Sequence, residues 1–240
     1  MGMRFFHCVA DCVDAIFPVR CVLCGSLVSK SPWWPAPLCT SCEKTLECIG
    51  GLRCERCGRP LISEQGLCAQ CKNEQYILMH ILPVFAYKGN AARLVQCYKI
   101  EERTSLAKYF SLRLAEMVPL FAETSSDIAI VPVPPRPEKI RAGKFDQVGI
   151  LANYLSRYGY RIWKGLVRRE GGAEQKTLAR ADRLKNAYQS YMLRAGSMDI
   201  PEKALLLDDV CTTGSTLDAC AEILAGKGTT ILGAIVLAAD

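Results

Sequence analysis

The pattern of apolar and polar positions changes near residue 80. Beyond that point, short apolar runs alternate with amphipathic segments. ILPVFAYKG (81–89) predicts a strand closed by a turn. AARLVQCYKI (91–100) and SLAKYFSLRLAEMV (105–118) carry apolar positions at helical spacing ahead of Pro119. DIAIVPVP (127–134) predicts a short strand ended by prolines, and QVGILANYLSRYG (147–159) a helix closed by Gly159. KALLLDD (203–209) and TTILGAIVLAA (229–239) are continuous apolar runs of strand length, separated by the helical STLDACAEILAGKG (215–228). Unbroken runs of this kind fit parallel strands buried on both faces. The alternation predicts an α/β domain, a parallel sheet flanked by helices, with ligands at the carboxyl ends of its strands. After YRIWKGLV comes RREGGAEQKTLARADRLKN (168–186), whose polarity and paired glycines predict a mobile loop.

Upstream of residue 80, periodicity is scarce and cysteine is dense: eleven of the fourteen cysteines fall in the first 71 residues. Eight of them form four CxxC pairs, Cys21/Cys24, Cys39/Cys42, Cys54/Cys57 and Cys68/Cys71. Two thiolates in one tight knuckle face one metal ion, and two knuckles complete a tetrahedral zinc site, so four pairs make two structural sites. The order of pairing stays open between neighbours in sequence and a cross-braced arrangement of first with third and second with fourth. A small Gly- and Pro-rich module of this kind buries little core, so zinc would supply much of its folding energy. With four protein ligands at each ion, metal catalysis is not expected there. The other cysteines, Cys8, Cys12, Cys48, Cys97, Cys211 and Cys220, read as small buried hydrophobes.

The first eighteen residues read as one amphipathic helix ending before Pro18, since Asp11 and Asp14 interrupt the apolar run expected of a signal peptide. No stretch reaches the length of a membrane span, and a cytoplasmic protein without membrane insertion is expected. The formal net charge is +6, but residues 136–185 alone hold 13 Lys/Arg against 5 Asp/Glu. A basic middle suits a phosphorylated small molecule or a nucleic acid, although any single cation there reads first as solvated surface.

The segment LLLDDVCTTGSTL (205–217) carries the sharpest chemistry. A buried strand over Leu205–Leu207 is expected to carry two carboxylates at its carboxyl end, with Thr212, Thr213, Gly214, Ser215 and Thr216 at the start of the following helix. Backbone N–H groups at a helix start, with hydroxyls around a flexible glycine, cradle an anion. The loop is neither a Walker loop nor GxGxxG. Asp208 and Asp209 would repel the same phosphate unless they face sugar hydroxyls or a cation. Phosphate at one end and vicinal hydroxyls at the other describe a ribose 5-phosphate.

Two acidic residues followed by TTGST after an apolar strand resemble the phosphoribosyl pyrophosphate signature of type I phosphoribosyltransferases. The ordered set FPVRCVLCG, CTSC, CERCGRPL, CAQC, YKG, IVPVPPRP, FDQ, EQKTLARADRLKN and LLLDDVCTTGSTL resembles the ComF family of competence-associated proteins over nearly the whole chain. The resemblance implies a helix and double zinc ribbon over residues 1–79 and a type I phosphoribosyltransferase-like domain over residues 80–240, serving DNA uptake in natural transformation. It implies that Asp208 and Asp209 meet the ribose as the catalytic pair, and that Thr212, Thr213, Gly214, Ser215 and Thr216 hold the 5-phosphate. Pro132, Val133, Pro134, Pro135 and Arg136 would form the pyrophosphate loop, magnesium would bridge pyrophosphate and ribose, and Arg168, Arg169, Gln175, Lys176 and Arg183 would lie in or beside a closing loop. One departure is that AGKFDQ (142–147) stands where the family commonly carries RGFNQ.

Three readings follow. The first is a phosphoribosyltransferase, or a binder of the same ligand without turnover, since no acceptor pocket is legible. The second is a single-stranded DNA-binding protein whose zinc ribbons and basic middle grip the phosphates, with stacking on Trp33, Trp34 and Tyr98. The third is a scaffold whose ribbon docks a helicase or another competence protein.

Overall fold

The computed structural model describes residues 19–28, 37–46, 52–62, 66–72, 76–78, 80–121, 128–169 and 190–240. The helix expected over residues 1–18, the Trp33–Trp34 pair, Cys8, Cys12 and Cys48, and Gln175, Lys176 and Arg183 lie outside them.

The ribbon consists of two similar halves. In the first, an antiparallel bridge between Arg20 and Leu27 flanks the turn carrying Cys21 and Cys24, and a single turn of helix, α1 (Thr40–Lys44), carries Cys42. Cys39 caps this helix, its sulfur accepting the Cys42 N–H at 3.4 Å. In the second, the Arg53–Pro60 bridge flanks Cys54 and Cys57, and α2 (Ala69–Lys72) carries Cys71.

The remaining described chain builds an α/β sheet in the order expected. Strand β1 (Ile81–Ala86) leads to α3 (Gly89–Lys99) and α4 (Ser105–Ala115); β2 (Ile128–Pro132) leads through α5 (Pro137–Arg141) and α6 (Gln147–Arg157) to β3 (Arg161–Ile162). A separate antiparallel pair, β4 (Leu166–Arg168) and β5 (Tyr191–Leu193), precedes β6 (Lys203–Cys211), α7 (Ser215–Ala225) and β7 (Thr230–Ala239). The five strands of the main sheet are all parallel, in the order β1-β7-β6-β2-β3.

Strand periodicity assigns the two faces. Leu205 and Leu207 of β6 point into the cluster with Leu94, Tyr98, Phe110 and Leu151 from α3, α4 and α6. Leu206 and Ala204 point into the other cluster, with Leu217, Cys220 and Leu224 from α7. Burial on both faces is why these runs are unbroken in the sequence. The ribbon joins the first cluster directly: Cys21, Leu23, Leu38 and Leu46 pack with Val84 and Phe85.

Candidate functional site

After β2 the chain proceeds to β3 on one side, while β6 lies on the other side of β2. Connections that part in opposite directions leave a crevice at the carboxyl ends of the two strands. Val133 still donates its N–H to the Leu207 carbonyl at 2.9 Å, and then Pro134 and Pro135, which have no N–H to offer a ladder, turn away. Strand β6 runs four residues further, to Cys211, with Asp208 opposite Val236 and Val210 opposite Ala238 of β7. Sequence reading ended this strand at Leu207. The apolar Val210 and Cys211 and the length of β7 carry it on through both carboxylates.

Because the carboxylates sit within a strand, its pleat sends them to opposite faces. Asp209 is buried on the face covered by α3 and α6, where Oδ2 lies 2.9 Å from Lys99 Nζ and accepts from Gln147 Nε2 at 3.0 Å, while Oδ1 accepts the Val210 N–H at 2.7 Å. Burial acts to raise its pKa, but the Lys99 charge and the hydrogen bonds from Lys99, Gln147 and Val210 outweigh it and hold the carboxyl below the usual range. Asp208 keeps partial exposure, and its Oδ1 accepts the Asp209 N–H at 2.8 Å. Its protein surroundings and the neighbouring Asp209 charge push this carboxyl well above the usual range.

Both carboxylates line a cavity of about 530 Å³. The β2 loop contributes Val133, Pro134, Pro135 and Arg136; Lys139 comes from α5, Arg168 from β4, and Thr216 from the start of α7. Arg168 lies over the Tyr191 ring, 5.4 Å from its centroid. The walls are therefore basic and the floor acidic, an arrangement suited to an anion that also presents hydroxyls or a cation. Pro132 ends β2 and lines an adjoining cavity of about 460 Å³ with Lys164 and Arg194.

Thr212, Thr213, Gly214 and Ser215 form the turn beside the main cavity rather than its wall. Gly214 has φ +77°, a left-handed conformation that favours glycine, and Thr213 Oγ1 and Ser215 Oγ lie 2.8 Å apart. The turn leads directly into α7, where the first N–H groups are free of helical partners. Arg169 is exposed and does not line the cavity.

Several residues in this site went unread in the sequence. Lys99 ends α3, 110 positions from the carboxylate it pairs with, and nothing local marks it. Gln147 matched a motif without a role, which its bond to Asp209 now supplies. Tyr98 corrects an expectation: it is fully buried, edge-on to Phe110 and Phe145, with its hydroxyl donating to the Gln147 carbonyl at 2.7 Å, so it offers no stacking surface to a nucleic acid.

The eight knuckle cysteines gather into two clusters, Cys21, Cys24, Cys39 and Cys42, and Cys54, Cys57, Cys68 and Cys71, with the sulfurs of each within 4.8 Å of one another. Pairing therefore follows sequence order. Four thiols at this separation fit tetrahedral zinc coordination, and their donor set supports two structural sites. The later cysteines read as expected: Cys97, Cys211 and Cys220 are buried, and burial pushes all three thiols up, Cys211 to about 12.

These features define a Cys-rich double-ribbon module joined to a parallel α/β sheet with an acidic and basic cavity at its switch point. Residues 12–72 match the double zinc ribbon domain family. The chain is homologous to the competence protein ComFC of Bacillus subtilis, 26% identical over 231 residues that cover 89% of this chain and 91% of that protein. It is likewise 25% identical to the DNA utilization protein YhgH of Escherichia coli K12, over 88% of this chain and 92% of that protein, and to competence protein F of Haemophilus influenzae, over 88% and 93%. Among the described residues, no helix is long and apolar enough to cross a membrane.

Proposed function

We propose that the cavity binds the phosphoribosyl group of phosphoribosyl pyrophosphate or of a nucleotide 5-phosphate, together with magnesium, and that the protein serves DNA uptake. The names of its homologues, competence and DNA utilization proteins, support the second half. The first half rests on one observation: paired carboxylates near the carboxyl end of a buried strand line a cavity at the switch point, facing basic walls and followed by a TTGST helix start.

The two carboxylates divide the work. Asp209, neutralised by Lys99, is a fixed acceptor for sugar hydroxyls. Asp208 accepts the Asp209 N–H through Oδ1, which leaves Oδ2 without a hydrogen-bond donor among the described residues, and magnesium is typically held by one or two carboxylates plus substrate phosphates. The donor set therefore fits that ion, with Asp208 as its protein ligand. When bound, magnesium would neutralise the oxygens of a departing pyrophosphate. Arg136, Lys139 and Arg168, which line the same cavity, would share that task. If transfer occurs, the acceptor bonds to the anomeric carbon as its bond to the pyrophosphate oxygen breaks. Positive charge then develops on the sugar beside the aspartates.

Calorimetry with phosphoribosyl pyrophosphate and magnesium tests this. Saturable binding of one equivalent is expected, and its loss in an Asp208→Asn/Asp209→Asn double variant that keeps its zinc. A wild-type protein that takes up no ligand would remove the proposal.

A nucleotide within a single strand would present the same phosphate and sugar to this cavity, and the relatives named for DNA utilization favour keeping that form in view. Affinity for an oligonucleotide should then fall steeply with salt, since each neutralised phosphate releases counterions.

A further inference from the structure

Arg56 sits in the second zinc knuckle, between Cys54 and Cys57, and is 2% exposed. A buried guanidinium is costly unless its N–H groups find acceptors. Nε donates to the Leu78 carbonyl at 3.1 Å, Nη1 donates to the Cys71 sulfur at 3.5 Å, and the Arg56 group lies over the Tyr76 ring, 3.0 Å from its centroid. Nη2 is buried and has no hydrogen-bond partner among the described residues. This orphan faces the TTGST turn: a methyl group built on Gly214 would stand 3.2 Å from Nη2 and 3.6 Å from Nη1. A side chain there would crowd the cation, so glycine suits this close approach of turn and guanidinium.

Two further contacts tie the turn to the ribbon. Arg59 donates from Nη2 to the Thr212 carbonyl at 3.4 Å. Leu78, whose carbonyl holds Arg56, donates its N–H to Asp218 Oδ1 at 2.8 Å in the first turn of α7. A zinc-ligand sulfur, a buried guanidinium and a helix start are therefore consecutive links.

We infer that Arg56 is a positioning residue for the phosphate turn, and that metal loading of the second cluster sets the affinity of that turn for a phosphate monoester. The inference rests on the proposed reading of TTGST as a phosphate site. With metal on Cys54, Cys57, Cys68 and Cys71, the Cys71 thiolate anchors Nη1 and keeps the cation behind Gly214, where its charge adds to that of the α7 N–H groups. Without metal the knuckle loses its crosslink, and both Arg56 and the Leu78 anchor are released.

The test is calorimetry of ribose 5-phosphate with magnesium on the full chain, with zinc counted in every sample. Arg56→Met should keep two zinc ions and bind on the order of 10- to 100-fold more weakly. Arg56→Lys, which restores the charge but not the fork, should recover part of that loss, a result that a purely packing role does not produce. Stripping zinc from the wild type should weaken binding, and reloading should restore it. Equal affinity in zinc-replete wild type and Arg56→Met overturns the inference and leaves the phosphate site standing. Wild-type protein that binds neither ribose 5-phosphate nor phosphoribosyl pyrophosphate overturns both. Should Arg56→Met fail to retain zinc, the stripping series decides: affinity indifferent to zinc sinks the coupling, and affinity that follows zinc supports it.

Discussion

Asp208 and Asp209 are neighbours in sequence with opposite effects on stability, because one step of the β6 pleat separates a carboxylate ion-paired to Lys99 from one with no ion pair among the described residues. The depressed pKa of Asp209 means that its contribution is present above the ordinary carboxylate range, about 3.9, and is lost as pH falls through the depressed value. Burial opposes the Lys99 charge, but Asp209 raises it above the ordinary lysine value; that stabilisation is present below about 10.4 and lost as pH rises through the raised value. Asp208 has the reverse sign: its raised pKa makes ionisation unfavourable to folding, so the penalty grows as pH rises from the ordinary range through the raised value. Asp208→Asn is therefore expected to raise the Tm at pH 7 while removing the proposed magnesium ligand, a trade of stability for function. Asp209→Asn and Lys99→Met should each lower it. Removing one partner of a fully buried pair costs about 3–5 kcal/mol. The Lys99 side chain is 41% exposed, which reduces the expectation to about 1–2 kcal/mol, or roughly 3–6 °C in a chain of this size. Thermal melts of the three variants at pH 7 check the signs; a fall in Tm for Asp208→Asn would contradict them.

Elements were more legible than their ends. Helical spacing placed α3, α4, α6 and α7 within a few residues, and unbroken apolar runs identified β6 and β7 as doubly buried. What local pattern could not show was that β6 outruns β2, since a strand's end depends on which neighbour still pairs with it. The same limit hid Lys99 and Arg56, whose partners are distant in sequence, whereas the cysteine spacing gave both metal clusters without their pairing. Helix α6 shows how an odd motif resolves once the element is seen. Asp146, standing where the ComF pattern has an amide, caps α6 through Oδ1 and the Gly149 N–H at 2.9 Å, and thereby sets Gln147 on the turn that reaches Asp209. Gly149 leaves room for the cap, since a methyl there would strike the Asp146 carboxylate. Asn and Asp cap about equally well, so Asp146→Asn should leave stability within a few tenths of a kcal/mol. Asp146→Ala should cost about 1 kcal/mol and weaken ligand binding through Gln147. Chemical denaturation of the two variants separates the outcomes, and equal losses would argue against a capping role.

At the scale of the whole molecule, the two metal clusters hold unequal positions. The first has Cys24 exposed and Cys39 and Cys42 half-buried, whereas all four cysteines of the second are buried. The second knuckle is also docked on β1: Ile81 donates its N–H to the Arg56 carbonyl at 2.6 Å, and a methyl on Gly58 would strike Pro83 and the Ile81 carbonyl. A competing chelator must reach the sulfurs, and at the second cluster it must first lift the knuckle off the sheet. Zinc release followed with a chromophoric chelator should therefore show two phases of one equivalent each, the fast one from Cys21, Cys24, Cys39 and Cys42. Gly58→Ala should accelerate the slow phase and leave the fast one unchanged, because the added methyl meets backbone that cannot move aside and Gly58 already holds a φ of +69°. Its cost to stability should be about 2 kcal/mol or more, from the strained backbone and the displaced contact together. A single phase releasing both equivalents would mean that burial of the second cluster gives it no kinetic protection. Acceleration of both phases by Gly58→Ala would mean that the ribbon opens as one unit, with its hold on β1 shared by both ions.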